Sequence, residues 1–243
     1  MSQERFDHRT VPFLNRNDGY SHGVSEMYEY QGVKLTWLGH DGFRIQDGQV
    51  VYVDPYQIQA GLRADIVLVS HEHSDHCSVD DLKKITGPNT TIVAHAQSKA
   101  ELSKLKVKEI RIMKPGDKIN VGDVGIEAVP AYNVNKFREP GKVFHPKEDG
   151  KLGFVITVKG LRIYHAGDTD HIPEMKNIRA DVALLPVSGT YVMTVQEAAE
   201  AVKTLNPKVV IPMHYGAIVG SLKDAEALQG LVKCEVKVLD KEL

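Results

Sequence analysis

The sequence contains little cysteine, with only Cys77 and Cys234 among 243 residues. A small secreted scaffold held by disulfides needs more cysteines, and a chain of this length can bury a core without them. We therefore expect two reduced thiols in a cytoplasmic protein. Because Cys77 directly follows a histidine, a metal ligand or a reactive thiol is the alternative.

The chain also lacks a strong charge imbalance and a long apolar run. Its formal net charge is −2, which argues against a nucleic-acid binder that neutralises phosphates over a wide basic face. No segment approaches the roughly 20 apolar residues of a membrane-spanning helix. The polar first residues contain no apolar signal-peptide core. The sequence thus predicts no nucleic-acid partner and no membrane span.

Short apolar segments separated by turn residues predict strands along most of the chain. Residues 1–30 are polar and are predicted to form an arm, followed by one domain over residues 31–243. The segments "ADIVLVS" and "ADVALLPVS" resemble one another, so we expect two similar halves divided near residue 150. Helices are predicted after Ser78, in "AQSKAELSKL", after Thr194, where Glu197 completes a capping box, and after Ser221.

The most unusual segment is "HEHSDH", which holds three of the eleven histidines in six positions. It follows an apolar strand and precedes a predicted helix, so it is predicted to be a loop. The zinc-protease pattern H-E-x-x-H is not met, because Asp75 stands four residues after His71. In an extended segment His71 and His73 point the same way, and a following turn would direct Asp75 and His76 to a second point.

This grouping predicts a dinuclear metal centre with ligands suited to zinc, iron or manganese. An exposed polar loop, or buried histidines with satisfied hydrogen bonds, is the alternative. Two further residues favour the metal centre. Asp168 follows the strand "LRIYHAG", in which Gly167 allows the backbone to turn, and His214 follows "VVIPM". Ligands gather beyond the carboxyl ends of strands, so one rim would unite all of these residues.

The motifs "HEHSDH", "GDT" and "PMHYG" resemble, in order and spacing, those of the metallo-β-lactamase superfamily. "TWLGHDGF", "YHAGDT" and "VIPMHYG" resemble its branch of small metal-dependent hydrolases. That branch includes ascorbate-6-phosphate lactonase and, more distantly, N-acylphosphatidylethanolamine-hydrolysing phospholipase D. The resemblance runs from about Val33 to the end of the chain. It implies an α+β fold, a four-layer αββα sandwich with metals at one edge of the two sheets.

The resemblance also implies the metal ligands. His71 and His73 hold the first metal, Asp75, His76 and His214 hold the second, and Asp168 bridges both. The family's third histidine for the first metal is missing, because the loop that carries it reads "PAYNVNK" here. Asn133, through its oxygen, and His145, from the same loop, are the alternatives. We expect looser binding of the first metal, or a preference for a metal other than zinc.

The implied activity is that of a metal-dependent hydrolase, in which a metal-bridging hydroxide cleaves a small ester, lactone, amide or phosphodiester. Two divalent ions are expected, with zinc as the first choice and manganese or iron as alternatives. Asp75 and Asp168 are the expected catalytic residues, and Asp75 also orients the nucleophile. Asp54, His40 and His165 are expected to support the ligands from behind.

The long segment 133–151 is predicted to be irregular and to contact the substrate. Its basic residues are candidates for holding a phosphate or carboxylate: Lys136, Arg138, Lys142 and Lys147. A solvated surface loop is the alternative for each of them.

Two rival functions stay open: a non-catalytic or regulatory metal-binding protein of the same fold, and a di-iron redox protein. The redox relatives pass electrons through a flavin domain, which this sequence does not contain. Nuclease relatives carry a large inserted domain for which the chain has no room. A small-molecule substrate is therefore expected, and a homo-oligomer is left open.

Overall fold

Two large β-sheets make up most of the molecule. The structure, a computed structural model, describes residues 27–242. The first sheet runs in order from β1 to β7, with antiparallel pairs from β1 to β4 and parallel pairs from β4 to β7. Its strands are β1 (Tyr28–Tyr30), β2 (Val33–Gly39), β3 (Gly42–Asp47), β4 (Gln49–Val53), β5 (Ile66–Val69), β6 (Thr91–His95) and β7 (Glu109–Met113).

The second sheet has the strand order β16-β15-β14-β13-β12-β9-β8. It is antiparallel from β8 to β13 and parallel from β13 to β16. Between β9 and β12 the chain forms a separate two-stranded hairpin of β10 and β11. The bounds are β8 (Lys118–Val121), β9 (Val124–Pro130), β10 (Phe137–Glu139), β11 (Lys142–Val143), β12 (Leu152–Val158), β13 (Leu161–His165), β14 (Val182–Pro186), β15 (Val209–Met213) and β16 (Glu235–Val236).

The chain passes from the first sheet to the second at residues 114–117. The sequence predicted that the two halves divide near residue 150, a position between two strands of the second sheet. The similarity of the two halves stays a prediction. Tyr28–Tyr30, at the end of the predicted arm, pairs with β2 as an edge strand. The rest of that arm lies outside the described residues.

Alternate residues of the strands face two different cores. On β5, Ile66 and Leu68 lie in the core between the sheets, which also contains Phe154 of the second sheet. Val67 and Val69 face the other way and pack with helical residues such as Leu82. A strand that is apolar on both faces must be covered on both sides. The layers are therefore helix, sheet, sheet and helix, and the predicted αββα sandwich is confirmed.

The helices of the described chain are short and lie on the outer faces. Their bounds are α1 (Val79–Ile85), α2 (Lys99–Leu102), α3 (Val195–Leu205) and α4 (Leu222–Ala227). The helix predicted in "AQSKAELSKL" is shorter than expected, because residues 96–98 form a 3-10 turn before α2. None of the helices within residues 27–242 is long and apolar enough to cross a membrane.

The loops that carry the predicted site residues leave the two sheets at one common rim. The segment His71–His76 follows β5 of the first sheet, and His214 follows β15 of the second. Backbone hydrogen bonds join the sheets here. The N–H of His214 donates to the His40 carbonyl oxygen at 3.0 Å, and the N–H of Leu152 donates to that of Ser70 at 3.1 Å. Side chains from distant parts of the sequence therefore meet.

The capping box at the start of α3 gives a test of local stability. The Thr194 hydroxyl accepts a hydrogen bond from the Glu197 N–H, and the Glu197 carboxylate accepts one from the Thr194 N–H. Thr194→Ala removes the first of these bonds and should lower the free energy of unfolding by about 1 kcal/mol. Urea denaturation of Thr194→Ala and of a control, Thr190→Ala on the exposed neighbouring loop, measures the effect. An equal loss in both variants would show that the cap does not stabilise the helix.

Candidate metal centre

The loop after β5 bends back on itself between His71 and Cys77. The backbone N–H groups of His76 and Cys77 both donate to the His73 carbonyl oxygen, at 3.0 and 2.7 Å. This turn directs Asp75 and His76 away from the first two histidines of the segment. His71 and His76 are buried, whereas the side chain of His73 is 47% exposed. The loop thus has an inner side and one open edge.

Three histidines converge in what we call the first cluster, which consists of His71, His73 and His145. One nitrogen of each lies within 4.8 Å of the others, and His71 Nε2 is 3.0 Å from His73 Nδ1. His145 Nε2 is buried and has no hydrogen-bond partner within residues 27–242. Three converging imidazole nitrogens are a donor set suited to zinc and related metals.

Asn133 lies behind His145 and not in the first cluster. Its Oδ1 accepts a hydrogen bond from the His145 backbone N–H at 2.9 Å and lies 2.9 Å from His145 Nδ1. Its Nδ2 donates to Asp170 Oδ1 and to the Tyr191 carbonyl oxygen. Both ends of the amide are therefore used, and they fix the ring of His145. Of the two alternatives that the sequence left open, the structure brings His145 into the cluster.

A second cluster combines two histidines with two carboxylates and consists of Asp41, His76, Asp168 and His214. One ligating atom of each lies within 4.8 Å of the others, and all four residues are buried. His76 Nε2 is 3.6 Å from Asp41 Oδ2 and 3.3 Å from Asp168 Oδ1. His214 Nε2 is 3.4 Å from the same Asp168 oxygen. This cluster is richer in oxygen than the first.

Asp168 lies between the two clusters and faces both. Its Oδ1 faces His76 and His214 of the second cluster. Its Oδ2 faces His145 at 3.6 Å and His71 at 3.9 Å in the first cluster. One carboxylate therefore presents a different oxygen to each group of histidines.

Gly167 brings Asp168 to this position. Its φ is +62°, and a Cβ atom on residue 167 would lie 2.6 Å from the carbonyl oxygen of Leu152. A side chain at this position would be strained and would displace the backbone. The turn into the rim therefore needs glycine, as the sequence indicated.

Asp41 was not identified from the sequence as a site residue. It lies in the turn between β2 and β3, directly after His40, whose φ is +52°. The carboxylate is fully buried, and neither oxygen has a hydrogen-bond partner in the part of the chain that the structure describes. Its place at the end of an apolar strand was the available signal, the same one that identified Asp168 and His214.

Asp75 is the partly open carboxylate of the site, with a side chain that is 20% exposed. Its Oδ2 lies 3.1 Å from His40 Nε2 and 3.6 Å from His76 Nε2. Burial by itself raises the pKa of Asp75, but the hydrogen bond with His40 and the charge of His76 lower this pKa to about 2. Asp75 is therefore ionised at neutral pH and accepts hydrogen bonds.

Asp54 fixes the ring of His76 from behind. The backbone N–H and the hydroxyl of Ser70 donate to the Asp54 carboxylate at 2.8 and 2.5 Å. The same carboxylate lies 2.9 Å from His76 Nδ1. Such a contact sets the tautomer and leaves Nε2 directed at the second cluster. This arrangement accords with the supporting role predicted for Asp54.

Two further contacts hold members of the second cluster in place. His165 Nε2 lies 2.8 Å from the Asp41 carbonyl oxygen, in accord with its predicted supporting role. The Ser188 hydroxyl lies 2.9 Å from His214 Nδ1. Ser188 was not identified from the sequence, because only its distance from His214 in the folded chain distinguishes it from other loop serines.

The two clusters differ in their electrostatics. Burial lowers the pKa of His145 to about 4, and burial together with His76 lowers the pKa of His71 well below its usual value. Burial by itself lowers the pKa of His214, but the nearby carboxylates of Asp168 and Asp41 outweigh it and raise this pKa to about 9. The first cluster is therefore neutral at pH 7, whereas the second carries protons on its histidines.

Unpartnered buried atoms concentrate at the centre of the site. Within residues 27–242, His76 Nε2, His145 Nε2, Asp168 Oδ1 and both Asp41 oxygens are buried without a hydrogen-bond partner. Such groups are rare in folded proteins, and each needs an explanation. Divalent cations would partner all of them at once, so the donor set fits a metal centre.

Other residues considered from the sequence lie outside the two clusters. His171 is 2.9 Å from the Thr204 hydroxyl, and His95 is buried. Cys77 is a free thiol in the core beneath α1, where burial raises its pKa to about 11. Of the basic candidates, Lys136 pairs with Glu197 and Asp170. The other three are exposed, and two of them form ion pairs at the surface, Lys147 with Glu174 and Lys142 with Glu139.

Comparison with known proteins gives the family. A model described as "Beta-lactamase superfamily domain" matches residues 34–214. The chain belongs to the metallo-β-lactamase superfamily. It is 32% identical over 224 residues to a UPF0173 metal-dependent hydrolase from Archaeoglobus fulgidus, a match that covers 87% of this chain and 94% of the relative.

Two further similarities agree with this family. A UPF0173 metal-dependent hydrolase from Thermoplasma acidophilum is 33% identical over 213 residues, covering 83% of this chain and 91% of the relative. A crystal structure from Parabacteroides distasonis has a TM-score of 0.77 and 31% identity, covering 90% of this chain and 99% of that one. The predicted superfamily is thereby confirmed, and with it the predicted class of metal-dependent hydrolase, the name that both relatives carry. The ascorbate-lactonase branch stays a prediction.

The two clusters should respond differently to pH when a divalent cation is added. His214 carries a proton at pH 7 because its pKa is raised to about 9, so a cation must displace that proton and should bind more tightly as the pH rises from about 6 to about 8. His145 is neutral over the same range, because its pKa is lowered to about 4, and binding at the first cluster should change little.

Calorimetric titration of the metal-stripped protein with zinc, across that pH range and in buffers of different ionisation enthalpy, measures affinity and proton release together. Two binding events with the same pH dependence would contradict the different protonation of the clusters.

Proposed function

We propose that the two clusters bind a pair of divalent cations and that the protein hydrolyses a small ester, lactone, amide or phosphodiester. The observation that carries this proposal is the position of Asp168, whose two oxygens face separate clusters. A carboxylate placed in this way is suited to bridge two cations. The family relationship supports the same reaction class.

The proposed ligands of the first cation are His71, His73, His145 and Asp168. Those of the second are Asp75, His76, Asp168 and His214. When bound, such a pair of cations lowers the pKa of a coordinated water to about 7 and polarises the bond to be cleaved. Zinc is the first choice at the first cluster, because three imidazole nitrogens suit it.

The residues of the chain would orient the reactants. Asp75 is ionised and partly exposed, so it is placed to accept a hydrogen bond from the attacking water and to fix its direction. With a pKa of about 2 it is a weak base, and its proposed role is orientation. His40 holds the Asp75 carboxylate by the 3.1 Å contact. The exposed side chain of His73 marks the open edge of the loop, and this is the side from which substrate would enter.

The composition of the chain supports the proposed partners and location. A small-molecule substrate is proposed, with no nucleic-acid partner, in keeping with the net charge of −2. A cytoplasmic location accords with the two free thiols. A homo-oligomeric state stays a prediction.

Removal of one ligand should show which residues hold the cations. Asp168→Ala removes the shared carboxylate and His71→Ala removes a buried first-cluster nitrogen, so both variants should lose metal retention and turnover. His145→Ala should lose the first cation, because His145 Nε2 completes the first cluster. His171→Ala is the matched control, since this histidine contacts Thr204 and neither cluster.

Metal content by mass spectrometry and activity on a panel of phosphodiester, lactone, ester and thioester substrates give the two readouts. Full activity in Asp168→Ala or His71→Ala would refute the mechanism. Two bound metals without turnover on any substrate would favour a non-catalytic metal-binding protein. Bound iron with a visible absorption band would favour the di-iron redox alternative.

A further inference from the structure

Asp41 is a buried carboxylate of the rim that lies in the segment "TWLGHDGF", and the family resemblance implies no role for it. The motif supplies one carboxylate from the 71–76 loop, Asp75, and one from the turn after β13, Asp168. Asp41 comes from a third place, the turn between β2 and β3. It belongs to the second cluster, where one of its oxygens lies 3.6 Å from His76 Nε2.

Comparison with Asp54 shows that the environment of Asp41 is not that of a structural acid. Both carboxylates are fully buried and both face the ring of His76. Asp54 contacts Nδ1 and accepts two hydrogen bonds from Ser70. Asp41 lies on the Nε2 side, and within the described residues its two oxygens have no hydrogen-bond partner. A buried acid with unused oxygens is costly unless something pairs with it.

The backbone holds Asp41 in this position. The residue before it, His40, has a φ of +52°, which directs the turn inward. The Asp41 carbonyl oxygen is 2.8 Å from His165 Nε2, and the His40 carbonyl oxygen accepts the N–H of His214. The turn is thus tied to the loops that carry Asp168 and His214. The carboxylate therefore has little freedom to leave the cluster.

The two clusters consequently offer different donors. The first has three imidazole nitrogens and one oxygen of Asp168. The second has two imidazole nitrogens and carboxylate oxygens from Asp41 and Asp168, with Asp75 beside them, 3.6 Å from His76 Nε2. Imidazole suits zinc, whereas carboxylate oxygens favour harder ions such as manganese.

We propose that Asp41 is an additional carboxylate ligand of the second cation and raises the affinity of that position for manganese(II) relative to zinc. The inference rests on the proposed function, because it assumes a cation in each cluster. It assigns Asp41 to binding and selection of the metal. Zinc remains the expected cation at the first cluster, whose donors are mainly imidazole nitrogens.

The test is competition between the two metals on the metal-stripped full-length chain. Wild type and Asp41→Asn are dialysed against mixtures of manganese(II) and zinc, and the bound metals are quantified by mass spectrometry. Loss of an outer-shell partner costs roughly 10- to 100-fold in metal affinity, and loss of a ligand should cost no less. We therefore expect Asp41→Asn to bind manganese more weakly by at least about 10-fold and to have a lower ratio of manganese to zinc at the second position. Zinc at the first cluster should be unaffected.

Two variants serve as controls in the same experiment. His145→Ala should lose zinc at the first cluster and keep manganese at the second. Asp54→Asn removes a carboxylate that contacts the same His76 ring from behind, so it should weaken both metals at the second position without changing their ratio. Asp41→Ala is the second test variant, and thermal unfolding of the metal-free proteins shows whether each variant folds.

Each outcome bears on one claim. An unchanged ratio of manganese to zinc at the second position in folded Asp41→Asn and Asp41→Ala would overturn the assignment of Asp41. A wild type that binds fewer than two cations would overturn the proposed dinuclear centre itself. The two failures are therefore distinguishable.

Discussion

The arrangement of the site depends on one buried carboxylate that is shared between two groups of histidines. Asp168 is 4% exposed, and each of its oxygens faces a different cluster. Burial opposes its charge, yet His76 and His214 hold the pKa of Asp168 well below its usual value. A buried negative charge persists only where positive charge or hydrogen bonds compensate it. Protonated histidines supply that compensation in the second cluster, and divalent cations would replace their protons.

The fold supplies what this carboxylate needs. Each half of the sandwich has a buried strand whose end meets the rim, so the loop after β5 and the turn after β13 arrive at the same place from opposite sheets. The inter-sheet core, which includes Leu68 and Phe154, fixes their separation. Behind the ligating atoms, Asp54, Asn133 and Ser188 contact the far nitrogens of three histidine rings. The rings are thus oriented without help from a metal.

The sequence alone was enough to predict the candidate site residues that directly follow apolar strands. His71, Asp168 and His214 were identified in this way, and the unbroken apolar run of β5 is typical of a strand covered on both faces. His145 remained one of two alternatives, because it lies in an irregular segment where no strand period fixes the direction of a side chain. Asp41 was missed although it also follows an apolar strand, because the positive φ of His40, which turns it inward, cannot be read from the sequence. The length of α2 and the change of sheet at residues 114–117 also depend on packing, which local patterns do not encode.

The most direct test of the shared carboxylate is a crystal structure of the metal-loaded protein with anomalous scattering recorded at the zinc and manganese absorption edges. The account predicts two anomalous peaks, one on each side of the Asp168 carboxylate, with one Asp168 oxygen directed at each. A single peak, or two peaks on the same side of Asp168, would contradict it.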